Sequence, residues 1–503
     1  MISSFVLVPA LGALAWILYA IAQKVILFFR QRRFIRRYGC MPPQNTVPGG
    51  DPIVGLSFLL DTIRRAKMNE YMRCQWERFQ LYGATYVNDR WLFKSVSTID
   101  PQNVQAVLST EFESFRMPEI RVKSLSPLFG DGIFVNDGPK WAHSRGLLRP
   151  IFTKRNLKPL LEIIEGHYQN MLRLVPSEGE TVDLGKLFYD LTLDVATEFL
   201  IGRSTSTLDP SVGTQDESQF LEDYVNCCLE AVQTLQMGPL YQLKRTQKTR
   251  VARDRAWRYI DRYVDEALRL RDGKEGKESG DYCFLQELAR ETDDREMLRT
   301  QILNILLASR DTTAAHLGNL FFMLARHPEA YEKLREETAR VVGNELPTED
   351  HFRQMTWLRW CINESLRLHP SVPGNTRQAA RDLALPTGGG PDGTSPLFVA
   401  KGTNVLLNLY SMHRREDIFG PEPEAFRPER WDGLRPGWGY VPFQGGPRTC
   451  IGQQFAITEA SYVIVRMAQC FAKMEARDAR PYTEHYTIVL FSKNGVQVSL
   501  TRA

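Results

Sequence analysis

Apolar and polar positions along this chain follow mainly the helical period of 3.6 residues, after a long apolar run at the N-terminus. Amphipathic helices are predicted in five segments, at 158–175, 217–235, 250–271, 299–326 and 329–342. Runs rich in β-branched and aromatic residues predict strands at 84–88, 92–98, 397–399 and 404–408. Asn494 and Gly495 separate apolar runs at 487–491 and 496–500, and this dipeptide is a hairpin signal. The pattern predicts a mainly α (α+β) body with small β-sheets.

The N-terminus predicts a membrane anchor. Residues 5–22 are almost unbroken apolar sequence, and 25–29 extend the run far enough for one bilayer-spanning helix. A basic segment at 30–37 follows, and the positive-inside rule keeps such a flank in the cytosol. A cleaved signal peptide is the alternative, but its basic residues would precede the apolar run.

These features divide the chain into three parts. We expect a single N-terminal transmembrane helix at 1–29, then a basic stop-transfer and proline-rich connector at 30–50. One globular domain would occupy 51–503, since no linker divides it into independent cores.

Composition limits the classes of function. A net charge of +4 over 503 residues is too small to indicate a nucleic-acid-binding protein, so no nucleic-acid partner is expected. The eight cysteines show neither a disulfide framework nor a Cys-x-x-Cys pair, which fits a reducing compartment and argues against a structural zinc site.

Cys450 is the cysteine whose neighbours are typical of a site. Glycines at 445, 446 and 452 allow a tight loop that brings backbone N–H groups near the sulfur, and Arg448 adds positive charge. A helix start follows at 453–460, and its positive end would also favour a thiolate. The alternative is a small buried apolar residue, the commonest environment of a free cysteine.

The pattern Phe-x-x-Gly-x-Arg-x-Cys-x-Gly is complete at Phe443, Gly446, Arg448, Cys450 and Gly452. It resembles the haem-ligand loop of the cytochromes P450, which are haem-thiolate monooxygenases. The resemblance implies the cytochrome P450 fold, with a helix-rich body around a buried haem b (iron protoporphyrin IX). It implies that Cys450 ligates the iron, that Phe443 contacts the haem, and that 51–503 is a haem-binding monooxygenase domain.

Further motifs fit the same resemblance at the haem edge. Trp141 and Arg145 lie four residues apart, so a helix directs an indole N–H and a guanidinium the same way. In the family such a pair grips a haem propionate. Arg377 and Arg448 match other propionate arginines, although each arginine taken alone is more typical of a protein surface.

Glu364 and Arg367 are spaced to pair on one helix face. The spacing alone is common on solvated helices and would predict only a weak surface pair. The segment 426–431 resembles the one that supplies a second arginine to the family's buried Glu-Arg-Arg cluster. Glu364, Arg367 and Arg430 are thereby implied to brace the haem loop, with Trp431 where phenylalanine is more common.

A polar run at 308–313 lies inside the apolar helix predicted around it. A solvated face is the ordinary explanation, since aspartate and threonine are poor interior helix residues. The run resembles the family's segment on the distal side of the haem. Thr312 is thereby implied to hydrogen-bond bound dioxygen, and Asp311 to relay protons. Ser309 replaces the commoner glycine, which would narrow the oxygen groove slightly.

Segments at 127–134, 310–313, 385–393 and 453–456 are similar to the fungal alkane and fatty-acid hydroxylase group. This implies hydroxylation of a long aliphatic substrate at or near its terminal carbon. A tailoring monooxygenase of polyketides or terpenoids in fungal secondary metabolism is the alternative. A non-oxygenase haem protein, an isomerase or a sensor, is a remote third, against which the pair Asp311 and Thr312 argues.

Electrons must come from a partner, because the chain has no Gly-x-Gly-x-x-Gly fingerprint after a strand. We expect a membrane-bound NADPH–cytochrome P450 reductase, O2 and an apolar small-molecule substrate as partners. The protein is expected in the endoplasmic reticulum membrane, with its domain in the cytosol. Four segments are expected to line the substrate pocket, at 119–127, 305–308, 372–375 and 489–491.

Overall fold

A computed structural model describes residues 2–47, 56–90, 93–152, 157–237, 247–272 and 282–503. The described α-helices are α1 Ile2–Tyr38, α2 Leu56–Lys67, α3 Tyr71–Tyr82, α4 Pro101–Gln105, α5 Glu119–Phe129, α6 Gly138–Leu148, α7 Leu157–Arg173, α8 Leu184–Ile201, α9 Gln215–Met237, α10 Gln247–Arg271, α11 Phe284–Glu291, α12 Arg295–Leu324, α13 Pro328–Val341, α14 Glu349–Gln354, α15 Thr356–Leu368, α16 Leu409–Met412, α17 Glu416–Phe419 and α18 Gln453–Cys470.

The described strands are β1 Thr85–Arg90, β2 Phe93–Thr98, β3 Phe115–Arg116, β4 Val182–Asp183, β5 Gly374–Ala379, β6 Leu383–Gly389, β7 Ser395–Val399, β8 Asn404–Asn408, β9 Phe471–Ala476, β10 Glu484–Tyr486, β11 Leu490–Ser492 and β12 Gln497–Arg502. They form a five-stranded sheet in the order β1-β2-β8-β5-β3, a three-stranded sheet β4-β12-β9, and the two pairs β6-β7 and β10-β11. Only β2 and β8 pair in parallel among these described strands. The predicted helix-rich body with small sheets is confirmed.

The five helices predicted from periodicity are all confirmed, as α7, α9, α10, α12 and α13. Their ends have local causes. The Asp294 side chain accepts from the Met297 N–H and so caps α12, while Pro328 occupies the first turn of α13, where a missing N–H costs nothing. The four predicted strands are confirmed as β1, β2, β7 and β8.

The predicted hairpin across Asn494 and Gly495 is wrong. Strand β11 pairs with β10, and β12 pairs with β4 and β9, so the two runs belong to different sheets. The segment 496–500 is held at Asp183 instead, because the Asp183 carboxylate accepts a hydrogen bond from the Val496 N–H at 2.8 Å. Gly495, at φ +70, provides the change of direction.

The long helix α12 runs through the larger apolar core, where it packs mainly against α8 and also contacts α5, α10, α15 and α18. Residues 301–306 and 313–322 of α12 are buried. The six residues between them, 307–312, are all partly accessible. This stretch interrupts the burial of the helix near its middle.

Helix α1 continues through the basic segment and ends at Tyr38, eight residues beyond the predicted start of the connector. Its segment Leu14–Tyr38 is long and apolar enough to cross a membrane, by length and composition. The predicted boundary between connector and domain falls on 48–55, outside the described residues.

The end of α1 is fixed to the β6–β7 hairpin by a set of contacts that we call the clasp. Arg30 lies 3.9 Å from the buried Asp382 carboxylate, and the rings of Phe34 and Phe398 pack 5.7 Å apart. Main-chain hydrogen bonds follow from Met41 N to Pro396 O, Gln44 N to Gly388 O and Gly390 N to Pro42 O. Gly389 makes this close approach possible, because a Cβ there would overlap the carbonyl oxygens of Pro396 and Met41.

Candidate functional site

Cys450 lies in a tight loop held by its own main chain. Its N–H donates to the Phe443 carbonyl at 2.9 Å, which also accepts from the Thr449 hydroxyl at 3.4 Å. The loop turns through a short 3₁₀ segment at Gly446–Arg448. Helix α18 begins three residues after the cysteine, with Gly452 at its N-cap.

The Cys450 side chain has accessible surface. Nevertheless, protein atoms surround its thiol closely enough for desolvation to be the largest influence on its pKa. Both observations fit a sulfur that lies inside the molecule and faces an internal space. Desolvation raises the pKa of the thiol, while a Gly452 backbone hydrogen bond and the charge of Arg145, rather than that of the predicted Arg448, lower it. A bound metal ion stabilises a thiolate, so the predicted thiolate stays a prediction for the haem-loaded protein.

The loop packs against a turn of π-helix at Ala106–Thr110. Gly446 makes this approach possible, because its φ is +66 and a Cβ would overlap the carbonyl oxygen of Leu108. That oxygen belongs to backbone and has little freedom to move.

Gly446→Ala is expected to lower the thermal unfolding midpoint through two costs, the positive φ and the overlap with Leu108. Gly433→Ala is the matched control, since Gly433 has φ +71 but open space around it. Together the two costs at Gly446 amount to roughly 2–5 kcal/mol, against about 1–2 kcal/mol for the backbone cost alone. Equal losses in the two variants would contradict a role for the packing.

Three arginines meet beside the loop with little negative charge to balance them. Arg377 on β5 is 4% exposed, and burial, with the charges of Arg121 and Arg448, lowers its pKa to about 9. Burial likewise lowers the pKa of Arg448 to about 10, although the nearby Asp137 carboxylate opposes the shift. Since an arginine stays charged in proteins, these shifts mean that its positive charge is costly here until an anion joins it.

The present partners of these arginines leave donors free. Arg448 donates to Asp137 Oδ1 at 2.6 Å and to the Asn136 carbonyl at 2.8 Å, while its other terminal nitrogen, Nη1, is buried without a partner among the described residues. Arg121 and Arg377 share the Asn375 Oδ1 as an acceptor, at 3.2 and 2.6 Å. The group suits a ligand with carboxylates, which accept charge-assisted bonds from arginine.

Trp141 and Arg145, both on α6, join this group to the cysteine loop. The Arg145 guanidinium lies 5.9 Å from the Trp141 ring centre and donates to the Thr449 carbonyl at 3.0 Å. The Arg448 guanidinium lies 4.5 Å from the centre of the same ring. The structure thus brings together Trp141, Arg145, Arg377, Arg448, Phe443 and Cys450, the six residues predicted to contact the cofactor.

Glu364 forms a fully buried cluster with two arginines. It accepts from Arg367 Nε and Nη2 at 2.8 Å each and from Arg430 Nε at 2.8 Å. Trp431 adds a bond from its Nε1 at 3.1 Å, so this tryptophan has a polar role that phenylalanine could not fill. The cluster fixes the chain ahead of the cysteine loop, since Arg367 also donates to the His413, Pro423 and Ala425 carbonyls.

Asp311 and Thr312 lie in the partly accessible stretch of α12. The Thr312 hydroxyl donates to the Ala308 carbonyl at 2.6 Å, and the Ser371 hydroxyl donates to the Thr312 carbonyl at 2.9 Å. Burial raises the pKa of Asp311, although the charge of Arg310 opposes it. Ser309 folds its hydroxyl back onto the Ile305 carbonyl at 2.9 Å, so the group is occupied within its own helix.

Sequence reasoning placed Arg121 only within the segment 119–127 expected to line the substrate pocket, and it missed Arg121 and Asp137 as members of the arginine group. Arg121 is on α5, and its contact with Asn375 spans 254 residues of chain. Asp137, next to α6, holds both Arg448 and the Met117 N–H. Neither belongs to a motif, and only the fold brings them to the site.

The site and fold agree with what comparisons with known proteins find. The sequence model of the family described as Cytochrome P450 matches residues 47–499, so the chain belongs to this family. The predicted family and fold are therefore confirmed. The chain is a cytochrome P450 monooxygenase, an oxidoreductase. Members of the family use haem as their cofactor.

Fungal relatives match over most of their length. The chain is 44% identical to cytochrome P450 monooxygenase himC of Aspergillus japonicus over 481 residues, covering 94% of this chain and 86% of the relative. It is 40% identical to cytochrome P450 monooxygenase fsdH of Fusarium heterosporum over 496 residues, at 96% and 86% coverage. It is also 40% identical to cytochrome P450 52A13 of Debaryomyces hansenii over 427 residues, covering 81% of each.

Proposed function

We propose that this chain holds haem b through Cys450 and hydroxylates a long aliphatic substrate. The Cys450 sulfur would bind the haem iron. Trp141, Arg145, Arg377 and Arg448 would hold the propionates, and Arg121 would join them. The observation that carries the cofactor assignment is the surplus of buried arginine charge beside an accessible cysteine.

A thiolate-ligated haem, when bound, activates O2 for insertion of one oxygen atom into an unactivated C–H bond, the other oxygen leaving as water. The reaction consumes two electrons and two protons. The protein's own part is to supply the protons at a fixed place. Thr312 offers its hydroxyl, now bonded to the Ala308 carbonyl. Asp311 is suited to carry a proton to it, because burial raises the pKa of its carboxyl group.

The stretch at 307–312 supports a substrate site above Thr312, since it is the partly accessible part of a core helix. Its first members, Leu307 and Ala308, present apolar surface beside the proposed oxygen site. An apolar chain is the substrate class that such a wall would bind. Relatives 36–44% identical to this chain are compatible with an alkane or fatty-acid substrate and with a secondary-metabolism substrate.

Electron supply and location follow from the same assignment. Microsomal members of the family in eukaryotes generally use NADPH–cytochrome P450 reductase and O2. We propose that reductase as the partner, docking at the face of the haem loop through basic residues. Helix α1 would anchor the protein in the endoplasmic reticulum, with residues 30–37 and the domain on the cytosolic side.

The substrate proposal is tested with microsomes that contain this protein and the reductase. They are given fatty acids, alkanes and, separately, polyketide and terpenoid intermediates, and products are identified by mass spectrometry under ¹⁸O2. An alcohol at or near the terminal carbon, carrying one ¹⁸O, is expected. Microsomes with the reductase alone are the control.

Labelled product from the polyketide or terpenoid set alone would assign the enzyme to tailoring of secondary metabolites. A haem-loaded protein that consumes neither NADPH nor O2 with any of these substrates would contradict the monooxygenase proposal itself.

A further inference from the structure

Arg310 is a cation whose side chain is 17% exposed, and it has an unusual set of neighbours. It precedes Asp311 on α12, and its Nη1 lies 3.5 Å from the Asp311 carboxylate. Its guanidinium lies 5.8 Å from the ring centre of Tyr189 on α8. Its Nε is buried without a hydrogen-bond partner among the described residues. A buried donor without a partner is unfavourable, so a further polar group or a bridging water is expected at this nitrogen.

Helix α8 also contacts Arg310. The Thr192 hydroxyl donates to the Arg310 carbonyl at 3.0 Å and so fixes α8 against α12 at this level. Asp190 lies on the same part of α8 and is half-buried. Asp190 stands in the chain between Tyr189 and Thr192, which both contact Arg310, and the charge of the guanidinium acts to lower its pKa.

Asp190 has an ionisation suited to proton transfer near neutral pH. Burial raises its pKa to about 6, with Asp194 adding to the shift, while Lys186 and Arg310 oppose it. Asp311 faces Arg310 on its own helix, Tyr189 on α8, and Tyr224 and Cys228 on α9. Among these charged and titratable neighbours, Arg310 is the group that acts on both carboxylates.

We propose that Asp190 and Arg310 form the solvent-side part of the proton supply to Asp311. This rests on the proposed function. Asp190 takes a proton from bulk water and passes it to the Asp311 carboxylate through water held by the Arg310 Nε–H. Asp311 then passes it towards Thr312, and Asp190 is protonated again from solvent. Both protons consumed with each O2 and each pair of electrons from the reductase can follow this route.

A different role for Arg310, as the anchor of a substrate carboxylate, fits less well. It stands two residues before Thr312, whereas hydroxylation at a terminal carbon would place the carboxylate at the far end of a long chain. Its nearest charged partner is already Asp311. Arg310 is therefore a positioning residue that acts through its two carboxylate neighbours.

The first test measures the contact without any turnover. In haem-loaded protein labelled with ¹³C-aspartate, infrared difference spectra follow carboxyl bands against pH, and the band lost in Asp190→Asn identifies Asp190. Arg310→Leu should move the Asp190 titration to higher pH, because a cation that lowers the pKa is removed. Arg310→Lys keeps the charge and should leave the titration near its original position. A titration unmoved in Arg310→Leu would overturn the proposed contact.

The pH dependence of thermal stability gives an independent check that folding raises the pKa of Asp190. The pKa of Asp190 is higher in the folded than in the unfolded chain, so the folded state binds more protons between about pH 4 and pH 6. The wild type should therefore lose stability relative to Asp190→Asn as pH rises through this window. A constant difference across the window would contradict a raised pKa.

The second test uses turnover in the reconstituted enzyme. Asp190→Asn should lower product formed per NADPH by up to about 10²-fold and raise the solvent deuterium isotope effect, since a positioned proton donor is lost. Asp216→Asn, at an exposed aspartate on α9, is the control and should match the wild type. Arg310→Lys should retain more product than Arg310→Leu.

The outcomes separate the two proposals. If the wild type forms product while Asp190→Asn keeps its yield and isotope effect, the proton route is wrong and the monooxygenase proposal stands. If the wild type forms no product, the monooxygenase proposal fails, and the infrared titration still decides whether Asp190 and Arg310 interact.

Discussion

Glu364→Gln is expected to destabilise the protein by about 3–5 kcal/mol, because it leaves two buried guanidinium groups without their counter-charge. Arg367 is completely buried and the Arg430 side chain is 4% exposed, so water cannot replace the carboxylate. The new amide would also point an N–H2 group at donors, since every bond made by the Glu364 oxygens is one that it accepts. Urea unfolding followed by tryptophan fluorescence measures the loss.

Glu429→Gln provides the control for the same chemical change. Glu429 pairs with Lys333 at 2.8 Å, but both side chains are about half exposed, at 53% and 51%. Such a pair contributes about 0–1 kcal/mol. Similar unfolding midpoints for the two variants would show that burial of the Glu364 cluster does not stabilise the fold.

Cys450→Ser is expected to abolish monooxygenase activity and to remove the thiolate-type Soret band of the reduced, carbon-monoxide-bound protein. Axial-ligand identity is the property that separates oxygen activation from other haem chemistry. The loop itself should survive, because its hydrogen bond to Phe443 uses the backbone N–H of residue 450. Absorption spectroscopy with and without carbon monoxide provides the measurement, and circular dichroism checks the fold.

Cys470→Ser, at a partly buried cysteine at the end of α18, is the control and should keep both the spectrum and the activity. A thiolate-type spectrum that persists in Cys450→Ser would reassign the ligand to another cysteine.

Periodicity predicted the long helices well because their apolar faces repeat over many residues and pack on one core. The hairpin failed because Asn494 and Gly495 describe only a local turn. What decides the pairing there is Asp183, more than 300 residues away, whose carboxylate draws Val496 to the start of α8. Local sequence carries no information about such a competitor.

In the candidate site, too, residues within motifs could be predicted from the sequence, whereas contacts made only by the fold could not. Cys450, Glu364 and Thr312 each lie in a motif, so a resemblance could find them. Residues adjacent to Cys450 show the groups that would stabilise a thiolate, but not the burial that raises its pKa, which only the fold reveals. Arg121 reaches the site only through the packing of α5 near β5, and its excess charge becomes evident only beside Arg377 and Arg448.

The clasp leaves the N-terminal helix little freedom to swivel against the body, since main-chain hydrogen bonds hold residues 41, 42 and 44 to the β6–β7 hairpin. Because the helix and the body are held together in this way, a change in the tilt of the helix also reorients the body. Helices adapt to bilayer thickness by tilting. A thinner bilayer would therefore turn the whole catalytic body and change the depth at which it meets the lipid, so that membrane composition becomes a determinant of how an apolar substrate reaches it.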